Sequence, residues 1–325
     1  MVKNSENKTT EKQREGEASR PLKIKRFLGT ENSNHQEFSV NREGTLSLET
    51  GVTNTWCPGC LNFMILAGVK MALQKQFAQG KKKEDFAMVS GIGCHAKIFD
   101  YLNLNGLNSL HGRVLPPCLG LKIGNPNLTV LGFSGDGDAY AEGMEHLIHT
   151  ARYNPDVKYL VHNNQVFALT VGEPTPCSEQ GYMDKTTTPI GVLLAPMNPI
   201  KLMLAAGCSF VARVFSDVNQ IQAVMEEAFK HKGFCFIEII QPCLIFHPDK
   251  GVKEKTYDLQ KTGHDKSNFE QAMKKACEFD YNKITDKTKI PLGIFYQTKK
   301  PCYEELFPQM QKLKKENKIW KDIKR

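Results

Sequence analysis

Nowhere among the 325 residues does an apolar run approach the ~20 needed to cross a bilayer; the longest runs have the length of β-strands. The opening residues, Met1-Val2-Lys3-Asn4-Ser5-Glu6, lack the apolar core of a secretory signal. An organellar leader fits poorly too, because residues 1–50 carry eight acids against nine bases. These absences lead to the expectation of a cytoplasmic protein with no membrane span. No internal repeat is visible. Residues 51–250 lack net charge, with sixteen bases and sixteen acids. The overall +8 therefore comes mostly from residues 251–325, with eighteen bases and eleven acids. A basic end can dock an acidic partner, protein or nucleic acid, although a plain solvated helix face has the same composition.

Cysteine is plentiful, at ten residues. In a chain without a secretory signal these are expected as buried hydrophobes, metal ligands or reactive thiols, not as a disulfide framework.

Residues 1–44 are polar and aperiodic, which predicts a mobile, disordered tail. Organised chain is expected from about residue 45. A Cys57-Pro58-Gly59-Cys60 turn leads into a helix over 61–77 with a wide apolar face. Strand-like runs follow at 86–90, 128–133, 157–162, 210–215 and 234–240. Helical runs at 114–123, 139–153, 200–206 and 218–230 alternate with them. Residues 103–111 and 166–189 read as loops, the second long enough to be functional. This alternation predicts an α/β fold, a parallel sheet with helices on both faces. Beyond residue 250 the chain reads as a basic, helix-leaning extension with one short strand at 290–296.

Ligands of such sheets gather beyond the C-terminal ends of the strands. Gly135-Asp136-Gly137-Asp138 ends one predicted strand, and Asn163-Asn164 ends the next, with one helix between them. A carboxylate on Asp136, an amide oxygen on Asn164 and the Val166 carbonyl are hard oxygen ligands of the kind Mg²⁺ takes, with phosphate oxygens completing its shell. Gly137 and the following helix N-terminus would offer N–H groups to a diphosphate. Gly-Asp-Gly alone is also an ordinary turn. Its pairing with Asn-Asn resembles the thiamine-diphosphate signature.

Cys57 and Cys60 share one turn, while Cys94 and Cys243 follow two other strands. Four such thiols can converge on an iron–sulfur cluster or a structural zinc. They can also act as a redox dithiol or be unrelated. Cys118, Cys208, Cys235 and Cys277 are expected in the core.

Together the two constellations resemble the thiamine-diphosphate-binding β subunit of the 2-oxoacid:ferredoxin oxidoreductases. The resemblance is carried by Trp56-Cys57-Pro58-Gly59-Cys60, Gly91-Ile92-Gly93-Cys94, His111-Gly112-Arg113, Gly124-Asn125-Pro126-Asn127-Leu128 and Gly135 to Asp138. It continues through His162 to Val166, Thr170 to Pro176 and Gln241-Pro242-Cys243. It implies that residues 45–250 form a thiamine-diphosphate and iron–sulfur domain, followed by a basic extension over 251–325. It implies a [4Fe–4S] cluster on Cys57, Cys60, Cys94 and Cys243, and Mg²⁺ on Asp136, Asn164 and Val166. It also implies a cofactor lining of Ile92, Gly93, Cys94, His95, Gly137, Asp138, Ala168, Leu169, Thr170, Val171, Gly172 and Glu173. Lys97 matches a position linked to the substrate carboxylate in some members, and His111 is a weaker candidate of the same kind. The family's loop usually carries Gln and Thr where this chain has Glu173 and Cys177.

The activity so implied is CoA-dependent oxidative decarboxylation of pyruvate, 2-oxoglutarate or a similar 2-oxoacid. Electrons would pass through the cluster to ferredoxin. An α subunit would supply the second half-site and the activating glutamate, so the isolated chain is expected to be inactive. The basic C-terminal segment would steer ferredoxin, and neither nucleic acid nor membrane is expected as a partner. The alternatives are a thiamine-dependent decarboxylase or synthase half without a redox cluster, and a zinc-stapled assembly module with no activity.

Overall fold

The computed structural model describes residues 47–318 except 185, 250 and 283, so the expected tail over 1–44 lies outside the described residues. After the Cys57–Cys60 turn come α1 (Asn62–Ala78), β1 (Phe86–Ser90), α2 (Ile98–Tyr101), β2 (Asn105–Asn108), α3 (Leu115–Gly124), β3 (Thr129–Gly135), α4 (Met144–Tyr153) and β4 (Val157–Asn163). A small hairpin, β5 (Val166–Phe167) and β6 (Glu173–Pro174), precedes α5 (Pro199–Ala205), β7 (Phe210–Phe215), α6 (Val218–Lys230) and β8 (Cys235–Ile240). The chain then adds β9 (Thr256–Asp258), α7 (Phe269–Ala276), β10 (Ile290–Gln297) and α8 (Pro308–Lys315).

Eight strands form one sheet in the order β2-β1-β3-β4-β8-β7-β10-β9. From β2 to β7 in that order every pair is parallel, whereas β10 is antiparallel to β7. The inner strands are buried on both faces, which is why they read as nearly unbroken apolar runs. Their side chains alternate between two cores. In β4, Val157, Tyr159 and Val161 join α3, α4, α5 and α7 on one face, and Leu160 joins α1, α2 and α6 on the other. Each buried Ile, Leu or Phe contributes about 1.5–3 kcal/mol relative to exposure. The predicted α/β sheet with helices on both faces is thus the observed one.

Sequence and structure part at five places, one of them the β5–β6 hairpin within residues 166–189, which read as a loop. Residues 103–111, read as a loop, contain β2. Its Asn-Gly-Leu-Asn is exposed throughout and has no apolar alternation, so only pairing with β1 makes it a strand. The helix expected over 139–153 is instead a π-helical turn, Gly137–Glu142, followed by α4, with Gly143 between them. Cys277, expected in the core, is exposed after α7. The C-terminal extension is part of the sheet, because β10 and β9 complete it. The helix at 114–123 is observed, since Pro116 and Pro117 sit in its first turn, where no N–H is needed.

The register sets the level at which strands end. Ser90 pairs with Phe133, Gly135 with His162 and Asn163 with Ile240, so the loops after β1, β3, β4 and β8 open along one edge. The C-terminal segment packs at the opposite edge. There the Asp156 N–H donates to Glu304 at 3.1 Å, Asn154 reaches the Lys300 and Pro301 carbonyls, and Tyr153 stacks on Tyr303. Among the described residues no helix is long and apolar enough to cross a membrane.

Candidate active site

Asp136 is the first residue past β3 and is almost fully buried. Its carboxylate accepts from Thr175 Oγ1 at 2.5 Å and from the Asn164 N–H at 3.3 Å. Burial pushes its carboxyl up to about 7, and these neutral donors only partly oppose the rise. A desolvated carboxyl served by neutral donors is the environment in which a bound cation most favours ionisation. Asn164 follows β4, and its Oδ1 accepts from the Val166 N–H at 3.1 Å. Between them Gln165 takes a left-handed φ of 62°, and its amide donates to the Cys177 carbonyl at 2.7 Å. That turn brings Val166 to the cavity containing Asp136 and Asn164. The donor set of carboxylate, amide and carbonyl therefore fits Mg²⁺.

Ile92, Gly93, Cys94, His95, Gly137, Asp138, Ala168, Leu169 and Thr170 line the same cavity, as does His111. Val171, Gly172 and Glu173 do not. Gly172 (φ 85°) backs onto Phe246, whose ring would lie 2.5 Å from an added Cβ. Glu173 turns to the Thr170 hydroxyl and the Val171 N–H, chiefly the former, which holds its carboxyl below the usual range. A glutamate in place of the family's glutamine would repel a diphosphate, and the position of Glu173 on the hairpin, outside the cavity lining, relieves that repulsion. A side chain at Gly137 would meet the Phe167 ring at 2.2 Å, so only glycine leaves this cradle open.

Asp138 does more than line the cavity. One oxygen accepts from Gly112 N at 2.8 Å, His111 Nδ1 at 2.7 Å and Ile92 N at 3.3 Å, and the other accepts from Ser134 at 2.7 Å. It ties the loops after β1, β2 and β3 together. Burial pushes His95 down to about 4, so its imidazole is neutral. Phe167 and His162 also line the cavity. The motif containing His162 marked its place, while Phe167 carried no signal of its own.

The four expected cysteines line a second cavity, with Lys97, Asn62 and Gln241. Cys94, Asn164 and Ala168 belong to both cavities. The Cys57–Cys60 turn closes with a 3.0 Å backbone bond. Trp56 packs edge-on to Phe63 and Tyr101 and donates to the Cys94 carbonyl at 2.7 Å, fixing that turn against the loop after β1. Gln241 Nε2 donates to Cys60 Sγ at 3.7 Å, and the Phe246 N–H to Cys243 Sγ at 3.5 Å. Burial raises the Cys60 thiol and lifts Cys94 to about 11. Such thiols ionise when iron or zinc supplies the positive charge. Among the described residues no three His, Cys, Asp or Glu side chains already stand as a ligand set for a single metal ion. The four thiols and their N–H donors are the groups a thiolate-bound cluster requires. Lys97 faces this second cavity, and its ammonium donates to the Thr55 carbonyl at 3.1 Å.

The described lysines at 299–318 follow the end of β10 and pack at the far edge. β4 alone separates the two edges by seven residues, about 23 Å. That exceeds the Debye length of ~8 Å at physiological salt. Direct steering of ferredoxin to the thiols by the lysines at 299–318 alone is therefore weak.

Residues 91–239 match the family described as thiamine pyrophosphate enzyme, C-terminal TPP binding domain, and residues 252–312 match the family of C-terminal segments of the pyruvate ferredoxin oxidoreductase beta chain. The chain is 36% identical over 282 residues to 2-oxoacid:ferredoxin oxidoreductase 1, subunit beta, of Aeropyrum pernix, over 82% of this chain and 85% of that protein. It is 35% identical over 260 residues to 2-oxoglutarate synthase subunit KorB of Archaeoglobus fulgidus, over 80% and 89%. A solved 2-oxoglutarate:ferredoxin oxidoreductase from Magnetococcus marinus, with 2-oxoglutarate, coenzyme A and succinyl-CoA bound, matches with a TM-score of 0.74 at 29% identity, over 84% of this chain and 90% of that one. The mostly parallel sheet is thus shared with the solved enzyme, and the chain belongs to the β-subunit family of the 2-oxoacid:ferredoxin oxidoreductases.

Proposed function

We propose that this chain is the cofactor-binding half of a cytoplasmic, CoA-dependent 2-oxoacid:ferredoxin oxidoreductase, working with an α subunit. The carrying observation is the shared wall. Cys94 borders both the cavity of Asp136 and the cavity of the other three cysteines, so a thiamine group and an electron acceptor would be neighbours. Asp136, Asn164 and the Val166 carbonyl would hold Mg²⁺ and with it the diphosphate, for which Gly137 leaves the cradle open. Thiamine diphosphate supplies the electron sink for loss of CO₂ from a 2-oxoacid. Cys57, Cys60, Cys94 and Cys243 hold a [4Fe–4S] cluster, the exit toward ferredoxin. Asp138 keeps the three loops in place, and neutral His95 adds no charge. Lys97, in the second cavity, would reach the substrate carboxylate across the shared wall, and His111 lines the first cavity.

Two observations support a partner. The carboxylates lining the first cavity are Asp136, assigned to the metal, and Asp138, engaged by three loops, leaving none for the aminopyrimidine. Exposed Ile92, Leu169, Leu244 and Ile245 ring the two cavities, an apolar surface suited to a subunit interface. The cytoplasmic address rests on ten free thiols. The division near residue 250 is proposed as one of sequence families only, because β9 and β10 belong to the common sheet.

The test is anaerobic co-expression with the α subunit and assay with a panel of 2-oxoacids, 2-oxoglutarate first in view of the relatives. Acyl-CoA formation coupled to ferredoxin reduction by the pair, with none by this chain alone, is expected. Turnover by the reconstituted chain alone would overturn the half-site reading. Colourless protein with stoichiometric zinc would overturn the cluster.

A further inference from the structure

The second cavity treats its four sulfurs unequally. Among the described residues, Cys60 alone of the four has a sulfur that accepts from a side-chain amide, that of Gln241 at 3.7 Å. Gln241 is the first residue past β8 and only 2% exposed. Its backbone N–H donates to the Asn163 carbonyl at 2.8 Å, so the neighbouring strand that precedes Asn164 also fixes Gln241. Its Oε1 has no partner. Reversing the amide would turn that carbonyl oxygen toward the sulfur, where it would repel a thiolate, so the N–H-to-sulfur orientation is the stable one. Asn62, fully buried at the start of α1, stands in the same wall. Its Oδ1 faces His162 Nδ1 at 2.8 Å, and its backbone and side-chain N–H groups act on the Cys60 thiol, partly opposing the rise that burial causes. A buried amide N–H normally finds an acceptor, so this wall has donor capacity aimed at a negatively charged occupant.

We propose that Gln241 is a positioning residue that tunes the redox potential of an iron–sulfur cluster held by Cys57, Cys60, Cys94 and Cys243, through its N–H on the Cys60 sulfur. The inference rests on the reading that these thiols hold a cluster. Reduction adds one electron and so one negative charge, shared with the sulfur ligands. A donor on a ligand sulfur stabilises the more negative state more, and the midpoint potential rises. Gln241 is buried and its contact with Cys60 part-buried, so water replaces it only in part when it is removed. The chemistry would make Cys60 the ligand side that takes up more of the added charge.

The experiment compares the wild-type complex, co-purified anaerobically with its α subunit, with Gln241→Leu and Gln241→Glu. Iron and sulfide are counted, and the midpoint is read by EPR-monitored potentiometric titration. Full iron with a lower midpoint in Gln241→Leu is expected, and a lower one again in Gln241→Glu at alkaline pH, where a carboxylate faces the sulfur. A structural role alone would leave the midpoint unmoved. Equal midpoints in iron-replete wild type and Gln241→Leu overturn the inference while leaving the cluster intact. Loss of iron from both variants also overturns it, because Gln241 would then serve assembly and not tuning. Iron-free wild type sinks the cluster reading itself.

Discussion

The two cavities meet at Cys94 but are built differently. Around the first, polar groups are committed before any cofactor arrives: Asp138 is engaged from three loops, and Asp136 is held by Thr175 and Asn164. Around the second, the thiols have few partners, and burial keeps Cys60 and Cys94 protonated. The difference follows from where the residues originate. Asp136, Asp138, Asn164 and the Gly91–His95 loop come directly off adjacent parallel strands, which fix them to one another. The cysteine set adds a turn ahead of α1, held mainly by Trp56 and the Cys60 N–H to Cys57 carbonyl hydrogen bond. A rigid half can grip a diphosphate as soon as the cation comes. The other half gains its order, and its thiolate charge, from the group it binds.

Cys94→Ser tests that contrast most severely. With one of four thiolates lost, the purified complex is expected to lose its iron almost completely. Magnesium-dependent thiamine-diphosphate binding, measured calorimetrically, should persist because the strand ends do not depend on the thiols. Loss of both together would show that the two cavities form one cooperative unit.

Asp136→Asn is the mirror experiment. An amide retains shape and removes the charge, so cofactor affinity should fall about 100-fold, at the upper end of the range for supporting residues of metal sites. Iron content should stay unchanged. The fold should also survive, since the buried carboxyl is a cost to the cofactor-free chain. Asp136 has its carboxyl raised from 3.8 to about 7, so the folded state holds its proton more tightly than the unfolded one. Its contribution to stability is present below about 4 and declines as pH rises toward 7. The variant should lack that decline in a chemical-denaturation series.

The same shift gives a smaller effect on the unaltered protein. The cation needs the carboxylate, so the proton competes with it below pH 7. Affinity for Mg²⁺ and thiamine diphosphate should fall about fivefold from pH 7 to pH 6. A flat profile would mean that the carboxyl is ionised well below 7 before the cation binds.

Sequence reasoning reached the strand ends because each carries a short, dense motif: Gly-Ile-Gly-Cys after β1, Gly-Asp-Gly-Asp after β3, Asn-Asn after β4 and Gln-Pro-Cys after β8. Alternating strands and helices were enough to place them on one edge. What escaped it depends on neighbours distant in sequence. The His162 to Asn62 contact spans a hundred residues, and the Gln241 to Cys60 contact spans 181. No local pattern encodes strand order. The orienting role of Asp138 likewise depends on loops from β1 and β2, and β2 itself has no apolar alternation to announce it. Lys97 was legible as a cation near Cys94, but which cavity it faces is set by the turn that presents the Thr55 carbonyl.

Glu173→Gln should have the least effect, and it probes how far the rigid half extends. The side chain is half-buried on the hairpin, hydrogen-bonded to Thr170 and ionised, and it lies outside the cavity lining. A charge so placed interacts with a bound diphosphate through solvent, where such terms amount to about 0–1 kcal/mol. Replacing it should raise cofactor affinity less than about threefold at low salt, and less again at high salt. Calorimetry at two ionic strengths separates the cases. A gain above tenfold that survives high salt would mean that the hairpin turns Glu173 inward when the cofactor binds, and that the loop from Ala168 to Glu173 belongs with the adaptable half of the site.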